Sequence, residues 1–377
     1  MGSARLIVVG GMAVGVLLAG CSASGQPATT ARWSSAASGE ATADGAATAN
    51  GGATANGAAA VSGGSAARLS VSGAHVLDPQ GHDLVLRGYS WGQWGTAQAD
   101  DAAANAAQGA NSVRLPLRWW GDYKTSDIDS RDPSAPGHID PSHLAELDKD
   151  IAWATGRHLW VVLFVDSNYG QGAGGRTDNF WTDPAMKQQF VEVWQFLAKR
   201  YRDKPYIGAY ELLPEPNPPG VSDAAVKEFY DSMIAAVRAV DPHTPVVVGP
   251  NKDYDLKRLT AAHTTVDKNV IYTGDYFIFD NALNRMPDIV RFEKQFDAPV
   301  WINQVGIPSG NADSQAKAHS VLGAFNADGV GWAWWTYRIS STNPNVHGIY
   351  YEDPSDATRW LVKSDWLALV GSYLRPS

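Results

Sequence analysis

The chain has 377 residues, 39 of them acidic against 30 basic, for a formal net charge of −9. That balance excludes a nucleic-acid binder, because phosphate contacts need clustered Lys and Arg and no such run is present. A single cysteine, Cys21, excludes any disulfide within the chain. The 15 tryptophans point to a large packed core, to flat apolar platforms for sugar rings, or to both.

In chain order, Arg5 and an apolar run over 6–18 lead into Leu18-Ala19-Gly20-Cys21. The run is too short to span a bilayer comfortably. This segment resembles a lipoprotein signal peptide. The resemblance implies cleavage of residues 1–20, lipidation of Cys21, and a secreted protein anchored to the outer face of the cell membrane. No later segment is apolar enough to cross a membrane. Residues 21–66 are almost all Ala, Gly, Ser, Thr and Asn, including Ala-Thr-Ala-Asn-Gly-Gly-Ala-Thr-Ala-Asn-Gly. Such a stretch buries too little apolar surface to offset its ordering entropy, so a disordered tether is expected. As a flexible coil its reach is roughly 35–40 Å.

The pattern changes near residue 67, and 67–377 reads as one domain. Residues 74–86 read as a hairpin turning at Pro79-Gln80-Gly81. Short apolar runs then recur at 85–90, 112–117, 159–165, 207–213, 246–250, 270–275, 300–305 and 330–336. Segments with helical spacing of apolar residues lie between them, at 144–151, 190–197 and 226–240. Apolar runs alternating with helices imply a parallel sheet buried on both faces. Eight such units predict an α/β fold, a (β/α)8 TIM barrel with an N-terminal β-hairpin. An open doubly wound sheet is the alternative, but no Gly-rich phosphate loop follows the first strand.

Barrel sites lie at the C-terminal ends of the strands. The residues expected there are Trp91, Trp94, Arg114, Asp166, Asn168, Glu215, Asn217, Asn251, Asp275, Tyr276, Gln304, Trp334 and Trp335. Carboxylates among aromatics around one opening suggest glycosyl transfer or sugar binding. Asp178, Asn179 and Trp181 sit on or just after a Gly-rich loop beyond the third run. The histidines at 75, 82, 143, 158 and 243 fall away from the expected mouth.

At these residues the chain resembles glycoside hydrolase family 5, the cellulase-like clan A barrels. Leu86-Arg87-Gly88-Tyr89-Ser90-Trp91 is similar to the family's first strand. Asn111-Ser112-Val113-Arg114-Leu115-Pro116 is similar to its second, whose Arg supports the nucleophile. Gly208-Ala209-Tyr210-Glu211-Leu212-Leu213-Pro214-Glu215-Pro216-Asn217 is similar to its fourth, which ends in Asn-Glu-Pro. Pro299-Val300-Trp301-Ile302-Asn303-Gln304-Val305-Gly306 is similar to its seventh, which ends in Glu-Phe-Gly. Trp332-Ala333-Trp334-Trp335-Thr336 is similar to its eighth. The resemblance implies a glycosidase acting on a poly- or oligosaccharide, with Glu215 as acid/base and Trp335 on the sugar platform; by their places near the strand ends, Trp91, Trp94, Trp181, Tyr276, Arg114 and Asn217 are further candidates for binding substrate.

The site departs from the family pattern. Pro214 replaces the Asn before the acid/base, Gln304 takes the nucleophile position, and Asp166 and Asp275 stand where His is usual. A neutral Gln304 is a poor nucleophile, and without its charge Glu215 is expected to ionise readily unless Asp166 or Asp275 restores the field. Three readings follow: a hydrolase with Asp275 or Asp166 as base or nucleophile, a carbohydrate-binding pseudoenzyme, or a metal-binding or purely structural barrel. No metal-ligand spacing and no cofactor motif is present, and the default oligomeric state is a monomer.

Overall fold

The computed structural model describes residues 67–120, 129–167, 180–277 and 285–375. The domain opens with the antiparallel pair β1 (Ser70–Ser72) and β2 (His75–Leu77), turning at Gly73, whose φ is +57°. The hairpin therefore lies earlier than expected. The Pro79-Gln80-Gly81 turn adds a single bridge, Leu77 to Asp83.

The barrel follows as β3 (Arg87–Ser90), α1 (Asp101–Gln108), β4 (Ser112–Trp120), α2 (Pro141–Thr155), β5 (Trp160–Ser167), α3 (Pro184–Tyr201) and β6 (Ile207–Glu211). It continues through α4 (Asp223–Arg238), β7 (Val246–Val248), the short α5 (Asn251–Tyr254), β8 (Val270–Phe277), α6 (Met286–Phe296), β9 (Val300–Gly306), α7 (Ser314–Ala327) and β10 (Gly331–Trp334). The strands close in the order β10-β3-β4-β5-β6-β7-β8-β9, each parallel to its neighbours. A small sheet of β11 (Arg338–Ile339), β12 (Tyr350–Asp353) and β13 (Asp356–Val362) and helix α8 (Ser364–Gly371) complete the chain.

Helix starts follow local chemistry. Asp140 and Asp183 accept from the first free backbone N–H groups of α2 and α3, each with a proline at the next position, and Ser222 does the same for α4. Two apolar layers hold the barrel. Between strands and helices lies the larger core, with Trp194, Trp332, Phe190 and Ile302 fully buried. Inside the barrel, below the site, Val162, Val247, Ile271 and Trp301 pack with Leu69 and Leu86. The interior is thus plugged at its N-terminal end, and the functional side chains can sit only at the opposite end.

One irregularity matters. β8 and β9 pair Thr273 with Trp301, then Asp275 with Gln304, so β9 holds one extra residue there. The same extra residue shifts its pairing with β10. A bulge re-aims side chains that simple alternation would send outward.

Candidate active site

The floor of the site is a buried ion pair. Arg114 on β4 donates through Nε and Nη2 to both oxygens of Glu211 on β6, at 2.6 and 2.8 Å. Both side chains are essentially inaccessible. Asn303 Nδ2 donates to Glu211 at 2.8 Å, and the Arg114 guanidinium lies 3.6 Å from the Phe164 ring centre. These contacts offset part of the cost of burying the pair, although Arg114 Nη1 has no hydrogen-bond partner among the described residues. Arg114 was expected to support residue 304 or substrate. It lies beneath the mouth and is committed to Glu211.

Above this floor the chain leaves β6 irregularly. Trp194 Nε1 donates to the Leu212 carbonyl at 2.7 Å, and the hydroxyls of Tyr230 and Tyr254 donate to the Leu213 carbonyl at 2.7 and 2.6 Å. This clamp presents Glu215, between two prolines, with φ +46°. A non-glycine residue before proline is disfavoured in helical regions, and the left-handed one adds steric cost. Such strain persists where surrounding contacts over-determine it, and it concentrates at functional positions.

Glu215, Asp275 and Gln304 meet at this point. Gln304 Nε2 donates to Glu215 Oε1 and, at 3.4 Å, to Asp275 Oδ1. Gln304 thus bridges the two carboxyls, which lie close enough to perturb each other. Burial raises the Glu215 carboxyl above the usual range, against the lowering pull of Asp275, Arg114 and Gln304. Asp275 is held well above that range, first by burial and then by the charge of Glu215. Glu215 was expected to ionise readily unless Asp166 or Asp275 restored the field; the Asp166 charge does push its carboxyl upward, alongside burial. Carboxyls coupled in this way titrate as a pair.

The other expected residues divide. Asp166 lies at the mouth, where Arg118 binds it at 2.8 Å. Asn217 lies two residues past Glu215, its Oδ1 accepting from Lys252 Nζ at 3.2 Å. Trp335 is half-buried, 5.9 Å from the Arg114 guanidinium. Trp94 is half-buried and meets His143 edge-on, with ring centres 6.2 Å apart. Asn251 is buried, donating to the Val221 carbonyl and to Asp223.

Three aromatics are corrected. Trp91 is buried and donates to Asn105 on α1, behind the strands. Tyr276 is buried against Phe325 of α7, and Trp334 against Trp366 of α8. Each follows or precedes an inward residue by one position, so the pleat sends it to the helix layer. None can serve as a sugar platform. Asn168, Asp178, Asn179 and Cys21 lie outside the described residues.

Glu211, Asn303, Arg118, Tyr254 and Lys252 had been assigned no role. A signal existed for Glu211: a carboxylate inside a continuous apolar strand must find a buried cation. Among the described residues no group of three Asp, Glu, His or Cys side chains is placed to hold a metal ion.

A plugged (β/α)8 barrel with paired carboxyls at the C-terminal ends of its strands defines a glycosidase-type fold and site. The chain belongs to glycosyl hydrolase family 5, the cellulase family, whose model matches residues 77–341. It is 25% identical over 356 residues to a β-xylosidase of Phanerodontia chrysosporium, covering 74% of this chain and 73% of that one. It is 30% identical over 200 residues to a probable glucan 1,3-β-glucosidase A of Aspergillus fumigatus, covering 50% of this chain and 45% of that one. The chain thus spans less than half of that glucosidase. Among solved structures, the fold is similar to the Thermotoga maritima endoglucanase Cel5A, with a TM-score of 0.61 at 19% identity, covering 76% and 97% of the two chains. It is also similar to an endogalactoceramidase, with a TM-score of 0.65 at 18% identity, covering 81% and 84%.

Proposed function

We propose that the domain hydrolyses O-glycosidic bonds of a poly- or oligosaccharide with Glu215 and Asp275 as its two working carboxyls. The observation that carries this reading is the bridge that Gln304 makes between the two carboxyls at the strand ends, with Glu215 on a strained backbone. Glu215 keeps the acid/base role: it takes up the proton from Asp275, whose carboxyl is held the higher of the two, and passes it to the departing oxygen. Asp275 then takes up the part of base or nucleophile that Gln304 cannot perform. Family geometry needs carboxyls about 5–5.5 Å apart for retention and about 6.5–9.5 Å for inversion. Gln304 bridges the pair, and substrate enters by replacing those contacts. Its hydroxyls and glycosidic oxygen supply the exchange partners, while Gln304 stays as an amide donor. The half-buried Trp335 is the platform beside the pair.

A second reading rests on one observation, the neutral residue at the family's nucleophile position. On that reading the cleft binds sugar without cleaving it. Upstream, Cys21 and the 21–66 segment are proposed to tether the domain to the outer face of the membrane, and the protein to act as a monomer.

The test is reducing-end release from β-glucans and xylans by residues 67–377, beside Glu215→Gln and Gln304→Glu, with oligosaccharide binding measured in parallel. Release that drops about 10²–10⁴-fold in Glu215→Gln supports hydrolysis. Binding by the native domain with turnover only in Gln304→Glu supports the second reading.

A further inference from the structure

The mouth is acidic, with Glu215, Asp275 and Asp166, and its buried or half-buried cations are spoken for: Arg114 by Glu211 and Arg118 by Asp166. Lys252 is the exception. It is exposed, and among the described residues its ammonium bonds to Asn217 Oδ1 at 3.2 Å and to no carboxylate. Its φ is +65°, and that of Tyr254 is +57°, an unusual backbone for side chains with a Cβ. The surrounding contacts hold it there. Asn251 Oδ1 accepts from the Lys252 backbone N–H at 2.8 Å, and Asn251 Nδ2 is tied to Asp223, which also binds Arg258. On the other side the Tyr254 hydroxyl is locked to the Leu213 carbonyl. The loop is thus fixed at both ends, and the lysine between them projects to the same point as Asn217, two residues past Glu215.

We propose that Lys252, with Asn217, forms a subsite on the leaving-group side of the cleft that selects a sugar bearing a carboxylate. The inference rests on Glu215 as proton donor, because the donor faces the leaving group and so defines that side. Asn217 holds the ammonium through one N–H, which leaves its other two N–H groups for an anion. A hydroxymethyl group on the same ring offers only a neutral hydrogen bond, and among the described residues Arg114 and Arg118 already pair with carboxylates.

The probe is a glucuronate-bearing xylo-oligosaccharide and its carboxyl-reduced twin, with binding to the 67–377 domain measured near neutral pH. The acidic ligand should bind about two- to fivefold more tightly at low salt. The preference should vanish at about 0.5 M sodium chloride. It should disappear in Lys252→Met and return in Lys252→Arg. Equal binding of the two ligands, or a preference that survives Lys252→Met, overturns the inference while leaving the proton-donor assignment intact. That assignment is read separately, from hydrolysis of the reduced twin by native domain and Glu215→Gln. If that pair turns over equally, the assignment fails and the subsite loses its placement.

Discussion

At the scale of single residues, the site is governed by what burial does to carboxyls. Glu215 and Asp275 are both raised, chiefly by desolvation, and each perturbs the other. An acid raised in this way stays protonated above the ordinary carboxylate range and is lost as pH rises through its shifted value. The kcat/KM profile should therefore keep its basic limb above that range, with two apparent ionisations belonging to the pair. In Asp275→Asn a pH–rate series on residual activity should show a single ionisation; an unchanged two-ionisation profile would show the pair to be uncoupled. Beneath the site, Arg114→Ala strands the Glu211 carboxylate in the interior. That loss should cost about 3–5 kcal/mol, measurable by urea unfolding. A cost under 1 kcal/mol would mean that Glu211 finds water or a proton without difficulty.

At the scale of elements, much of the barrel could be read in the chain. All eight barrel strands fall within the apolar runs or overlap them, because a strand buried on both faces shows up as an uninterrupted apolar segment. The order of residues around the mouth was legible less often. Trp91, Tyr276 and Trp334 stand at strand ends as sugar platforms do, yet the pleat turns them toward the helices. The extra residue in β9 brings Asn303 to Glu211 and Gln304 to the carboxyl pair, a pairing that no local pattern encodes. Ion-pair choice is equally non-local: Arg114 and Glu211 lie 97 residues apart. The helices carry their own titration. Asp150 on α2 is pushed up to about 7 by burial, and one of its oxygens has no partner. Glu293 on α6 is likewise pushed up to about 7 by burial. Their unfolded values are near about 4. A raised carboxyl binds more protons folded than unfolded, so its stabilising contribution is full below about pH 4 and is lost as pH rises through about 7. Asp150→Asn should accordingly raise Tm at pH 8 and change it little at pH 4, by calorimetry. The reverse ordering would contradict the assignment.

At the scale of the whole molecule, the N-terminal hairpin and Trp301 plug one end of the barrel, and the chemistry gathers at the other. Trp301→Ala should destabilise the domain by about 3–5 kcal/mol in urea unfolding, because it opens a cavity inside the plug. A loss below 1 kcal/mol would mean that the plug collapses around the gap. Family membership sets the expected reaction. The account turns on Asp275 having replaced the family's nucleophilic glutamate as the second carboxyl. The most direct measurement is the hydrolysis rate of Asp275→Asn beside the native domain, on whichever glucan or xylan the native domain cleaves. The account predicts a loss of about 10²-fold or more with substrate binding retained. A variant that cleaves at the native rate would contradict it.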